Sequence, residues 1–141
     1  MRELKLEPGH GRETVVNLSV NHPNGARDLQ LVQVLVNHEL NGAHGCYVSY
    51  DVSDNRLWLI GDSGTGSSGW GHPGDRLTLS NSQCGIALEH TQSALENETL
   101  SLKIHIVGTA SFTGVQHVYV SGQDVTGFRI EWADNGKWLV Q

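Results

Sequence analysis

The side chains in this chain best suited to chemistry are its four tryptophans, its eight histidines and a few clusters of Asp and Asn. A tryptophan offers a flat apolar face, against which the C–H side of a sugar ring can stack while its hydroxyls stay hydrogen-bonded. Trp70 is the informative one, because it lies in a glycine-rich stretch, 61–74, where no strand period demands its burial. With Tyr47 or Trp58, and with Asp62 and His72 as polar neighbours, it forms the candidate ligand-binding set. The bland alternative for Trp70 is a lid folded back over a sheet, and Trp58, Trp132 and Trp138 read equally as core or edge aromatics.

Metal chemistry is less well provided for. His38, His44 and His72 flank the middle of the chain, but transition-metal sites are usually announced by a short spacing such as His-x-His, which is missing. The histidines therefore read as solvated, and the sequence calls for no cofactor. Calcium is the one cation it could hold, through Asp51, Asp54 and Asn55 or through Asp124, Asp134 and Asn135. The same residues also make ordinary Asx-turns. Gly61-Asp62-Ser63-Gly64 sets a serine in a tight loop, yet a nucleophile needs a base within hydrogen-bond reach and an oxyanion site. Four loop residues supply neither, so no catalytic residue is assigned and the chain does not read as an enzyme.

These residues must be positioned by strands. Residues 14–20 are β-branched and roughly alternating, and 29–37 are apolar on both faces, as in a strand covered on both sides. Residues 46–50 and 56–60 form a hairpin around 51–55. The six glycines of 61–74 predict a mobile surface loop, and the strand pattern resumes at 75–80 and again at 86–88. Residues 90–98 predict a turn of helix. The cleanest strand is 99–107, with Leu100, Leu102, Ile104 and Ile106 on one face and Ser101, Lys103 and His105 on the other. Segments 115–121, 128–132 and 137–140 follow, the last two separated by the turn signal Asn135-Gly136. Eight or nine short strands without a convincing helix predict an all-β antiparallel sandwich, with 1–12 as a lead-in or edge segment and 13–141 as one domain.

Composition narrows the partners. Charged residues are 17% of the 141, below the ~25% of an average globular chain, and the net charge is −6 with no basic run, which excludes a nucleic-acid footprint. No apolar run approaches the ~20 residues that span a bilayer, so membrane insertion is not expected. The amino terminus lacks the apolar core of a signal peptide, and the expectation is an excised domain of a longer secreted protein. Cys46 and Cys84 are the only cysteines; bonded, they would close a loop of about 39 residues, for which chain entropy gives roughly 4 kcal/mol. Two free thiols in a reducing compartment are the alternative.

The cysteine-centred stretch and the carboxy-terminal third resemble a module found in large secreted or surface-anchored proteins of soil bacteria. The resemblance rests on Cys46-Tyr47 with Tyr50, on Asn55-Arg56-Leu57-Trp58-Leu59 with Asp62 and Gly64, and on Asn81-Ser82-Gln83-Cys84. It continues through Leu100, Leu102, Phe112-Thr113-Gly114, Tyr119, Asp124 with Gly127, Trp132 and Gly136-Lys137-Trp138. Glu131 and Gln116 depart from the pattern, where glycine and lysine are usual. The resemblance implies an immunoglobulin-like β-sandwich with a Cys46–Cys84 disulfide and no assigned activity. The functional expectation is a non-catalytic extracellular or cell-surface module for spacing, display or adhesion, the runner-up being a carbohydrate-binding module. Its partners would be a glycan, another surface protein, or a second copy through an edge strand.

Overall fold

A computed structural model describes residues 2–7, by their backbone alone, and residues 11–140. Twelve antiparallel strands among these residues form two six-stranded sheets packed on each other. The first sheet runs β1 (Arg2–Glu7), β2 (Glu13–Asn21), β10 (Thr99–Gly108), β8 (Cys84–Ala87) and β7 (Thr78–Ser80). A further strand, β9 (Gln92–Glu96), pairs with the first half of β10, on residues 99–103, while β8 pairs with its end, on 106–108. The second sheet runs β12 (Arg129–Val140), β11 (Gly114–Asp124), β3 (Leu29–Asn37), β4 (Cys46–Asp51), β5 (Arg56–Ile60) and β6 (Ser67–Gly71).

The core is the sum of the inward-pointing positions. Val16, Leu18 and Val20 of β2 and Leu100, Leu102, Ile104 and Ile106 of β10 face Val32, Val34 and Val36 of β3, Val48 of β4 and Leu57 and Leu59 of β5. All are buried, each worth about 1.5–3 kcal/mol for its removal from water. Leu35 is also buried but outside this core, on the opposite face of β3, so that strand is covered on both sides. At the far end of the sandwich Trp138 packs edge-on against Phe112 and its indole N–H donates to the Gly11 carbonyl at 2.9 Å.

Cys46 and Cys84 are bonded, with Cα atoms 5.7 Å apart and both side chains fully buried. One belongs to each sheet, so the bond ties the two layers together. Asn81 braces the junction: its amide donates to the carbonyls of Gly45 and Ile60, both at 3.1 Å, and its oxygen accepts from the backbone N–H groups of Gln83 and Cys84.

Several elements differ from the sequence reading. The glycine-rich stretch is not a loop throughout, since it contains β6, paired antiparallel with β5 at Leu57–Gly71, Trp58–Trp70 and Leu59–Gly69. Its glycines are there because the strand crosses the core closely: a Cβ on Gly71 would stand 2.5 Å from Leu88 Cδ1, and one on Gly69 3.2 Å from Leu79 Cδ2. The helical turn expected at 90–98 is β9, held by the ladder to β10, with only a short 3-10 turn, Leu88–His90, before it. Of 75–80 only Thr78–Ser80 is strand. Segments 128–132 and 137–140 are one strand, β12, in which Asn135 is a bulge residue: Tyr119 pairs with Asp134 and Val118 with Gly136. In the lead-in segment Arg2–Glu7 form the edge strand β1 on β2, and residues 1 and 8–10 lie outside the described residues.

Candidate functional site

Strand alternation puts Arg56 and Trp58 of β5 on the outer face of the second sheet, because Leu57 and Leu59 between and beyond them point into the core. On β6 the same rule sends Trp70 outward, since Gly69 and Gly71 lie against Leu79 and Leu88. Register places Trp70 directly opposite Trp58. Their rings are 5.8 Å apart at 43°, and Trp70 keeps 45% of its surface exposed. The Arg56 guanidinium lies over Trp70 at 4.3 Å and over Trp58 at 5.5 Å. His72 meets Trp70 edge-on at 5.8 Å.

Arg56 is freed for this stacking by a neighbour's choice of partner. Asp51 is its direct cross-strand partner, a position that normally gives an ion pair. Asp51 Oδ1 instead accepts from the backbone N–H and hydroxyl of Ser53, at 3.1 and 3.0 Å, and from the Asp54 N–H, closing the hairpin as an Asx-turn. Among the described residues Arg56 has no ion pair, and its Nε is buried without an acceptor.

A transverse row continues from this cluster across the sheet. Ser49 stands opposite Trp58, Gln33 opposite Ser49, and Ser121 opposite Gln33, with 3.3 Å between the Ser121 hydroxyl and Gln33 Oε1. Beyond Ser121 rises Trp132 on β12, whose ring meets Tyr47 edge-on at 5.9 Å. Trp132 separates two small cavities. One, of about 120 Å³, is lined by Gln33, Ser121, Arg129 and Glu131; the other, of about 220 Å³, by Leu35, Leu40, Gly42 and Tyr47. Partial burial raises the pKa of the Tyr47 hydroxyl, opposed by a hydrogen bond with Gln33.

The structure thus brings Trp58, Trp70 and His72 together. Tyr47 belongs to the second aromatic station, with Trp132, on the same face. Asp62 joins neither. Its carboxylate accepts from the Ser82 hydroxyl and, at 3.0 Å, from the Ser82 N–H, bonds that lower its pKa, while its backbone carbonyl accepts from His44 N–H. It is a clip between two loops. Sequence reading passed over Arg56 and the Ser49, Gln33 and Ser121 floor; the period-2 spacing of Arg56 and Trp58 was the available signal for the first, and none existed for the cross-strand row.

Most of the oxygens considered for calcium are engaged in local hydrogen bonds, while Asn135 Oδ1 is buried without a partner among the described residues. Besides Asp51, Asn55 Oδ1 accepts from the Tyr50 hydroxyl and from Ser93 Oγ, at 2.5 and 2.7 Å. Asp124 Oδ1 accepts from the Thr126 hydroxyl and N–H and from Phe128 N–H, and Oδ2 pairs with His22 Nε2 at 3.1 Å. Led by the Thr126 hydroxyl, these bonds hold the Asp124 carboxyl down at about 2. Asp134 pairs separately with His117 at 2.6 Å. No three His, Cys, Asp or Glu side chains converge as a metal-binding group among the described residues.

In comparisons with known proteins, no family model, no curated protein and no solved structure matches the chain.

Proposed function

We propose that this chain is a non-catalytic adhesion module of a bacterial surface or secreted protein, and that it binds carbohydrate through the outer face of its second sheet. The observation that carries the reading is the outward-facing cluster of exposed Trp70 with half-buried Trp58 and Arg56, held on paired strands rather than on a free loop. Preformed aromatic surface on a rigid scaffold binds with little ordering cost, which is what a module with only shallow contacts to its ligand requires. Between the stacking stations the half-buried Gln33 offers an amide partner of the kind a sugar chain uses, set between the buried Ser49 and Ser121. The buried disulfide agrees with an oxidising, extracellular setting, and among the described residues no helix is long and apolar enough to cross a membrane.

The test is affinity electrophoresis and tryptophan fluorescence against a panel of neutral and acidic polysaccharides, using the intact protein and Trp70→Ala. Trp70 lies outside the hydrophobic core, so the variant should keep the fold, which circular dichroism checks. At least one polysaccharide should quench the parent's fluorescence, and the variant should bind it at least about 10-fold more weakly, the loss of roughly one aromatic contact. Undiminished binding by Trp70→Ala, or no binding to any member by the parent, removes the carbohydrate reading.

A further inference from the structure

Resting on that reading, we propose that the ligand is an acidic polysaccharide and that Arg56 reads its carboxylates. An arginine normally settles beside an acid. Here the acid that register supplies, Asp51, is held through Oδ1 by its own turn, and no carboxylate pairs with Arg56 among the described residues. The guanidinium is held instead by two indoles, one at 4.3 Å and one at 5.5 Å.

That arrangement divides the group's surface by function. Cation–π contact uses the flat faces of the guanidinium and fixes its orientation, whereas its terminal Nη–H donors radiate in the plane and stay available to an incoming carboxylate. A carboxylate matches this fork with two parallel hydrogen bonds, stronger than those to a neutral hydroxyl. Nε itself is buried without an acceptor in the free protein, so an incoming carboxylate is met by the two terminal Nη groups. His72, the other basic group on the cluster among the described residues, donates its backbone N–H to Asp75 at 2.9 Å, with its ring nitrogen 3.6 Å from the same carboxylate, so Asp75 is turned to His72 and not to Arg56. A uronic acid presents what this corner lacks: an apolar ring face for Trp70 and a carboxylate beside it for Arg56. The protein's overall charge of −6 does not favour a polyanion, so the attraction must be local.

The decisive comparison removes the ligand's charge and leaves its rings. The parent, Arg56→Gln, Arg56→Lys and Trp70→Ala are titrated with polygalacturonate and alginate, with the methyl ester of each, and with poly-glutamate. The parent should bind at least one acidic polymer about 10- to 100-fold more tightly than its ester, the range for hydrogen bonds to a charged group. Arg56→Gln should abolish that difference, and Arg56→Lys, which keeps the charge without the fork, should restore part of it. Equal binding of acid and ester by the parent overturns the role of Arg56 while leaving the carbohydrate reading intact. A preference for neutral polymers does the same. Poly-glutamate binding as tightly as the acidic polysaccharides, and lost in Arg56→Gln but not in Trp70→Ala, overturns both and assigns the face to an acidic protein.

Discussion

The bond between Cys46 and Cys84 crosses from one sheet to the other, and its removal is the perturbation whose size the structure fixes best. The two residues are 38 apart in sequence, and a closed loop of that length withholds about 13 cal/mol/K from the unfolded chain, or roughly 4 kcal/mol at 25 °C. The unfolding entropy of a 141-residue domain is about 0.3 kcal/mol/K, so the loss corresponds to a fall in Tm of about 13 °C. The double variant Cys46→Ala, Cys84→Ala avoids leaving a lone buried thiol. It should keep the fold, because Asn81 still joins the Gly45 and Ile60 carbonyls to the Cys84 N–H without the sulfurs. Calorimetry in non-reducing buffer, with circular dichroism to confirm the strand content, measures the difference. A fall of less than about 3 °C would refute the cross-sheet bond as a main source of stability. Alkylation of both cysteines in the denatured parent without reductant would refute the bond itself, since a disulfide leaves no thiol to react and denaturation exposes side chains that are buried in the fold.

The packing of β6 predicts that Gly71→Ala destabilises the protein by about 1–3 kcal/mol, through the methyl's approach to Leu88, whereas an open loop at this position would absorb it without change in denaturant midpoint. Trp138→Ala should cost about 3–5 kcal/mol by urea unfolding, as a fully buried indole is lost together with its bond to Gly11. Asp124 carries a pH dependence: its folded carboxyl sits at about 2 against about 3.9 in the unfolded chain, so its contribution is complete above that range and disappears as pH falls toward 2. The Tm of the parent should therefore drop more steeply between about pH 4 and pH 2 than that of Asp124→Asn, and parallel curves would count against the depressed carboxyl.

What sequence could and could not disclose follows from where each signal is stored. The strand at 99–107 was legible because one face is buried and the other wet, which writes a period of two directly into Leu100, Leu102, Ile104 and Ile106. Strand β9 writes nothing of the kind, because none of its residues is buried and its ladder to β10 uses only backbone. Strand β6 writes a misleading signal: the glycines that let it lie against Leu79 and Leu88 are the residues that also build loops. The long β12 hid its continuity behind Asn135-Gly136, a pair that serves equally well as a turn or as a bulge.

The site divides along the same line. Trp70, Trp58 and His72 could be nominated one at a time, because exposure of a tryptophan outside any apolar period is a local property. Asp62 and Tyr47 lie near members of that group in sequence, but the fold sends one to Ser82 and the other to Trp132. The deciding feature of the cluster is neither local nor chemical but combinatorial. Ser53 follows Asp51 at the spacing of an Asx-turn, so the turn closes on the carboxylate that register would have handed to Arg56. The guanidinium is left to the two tryptophans, one of which reaches it only because Gly69 and Gly71 allow β6 to pair there. Hairpin closure, strand register and close core packing are separate requirements, and the charged aromatic corner exists where all three are met.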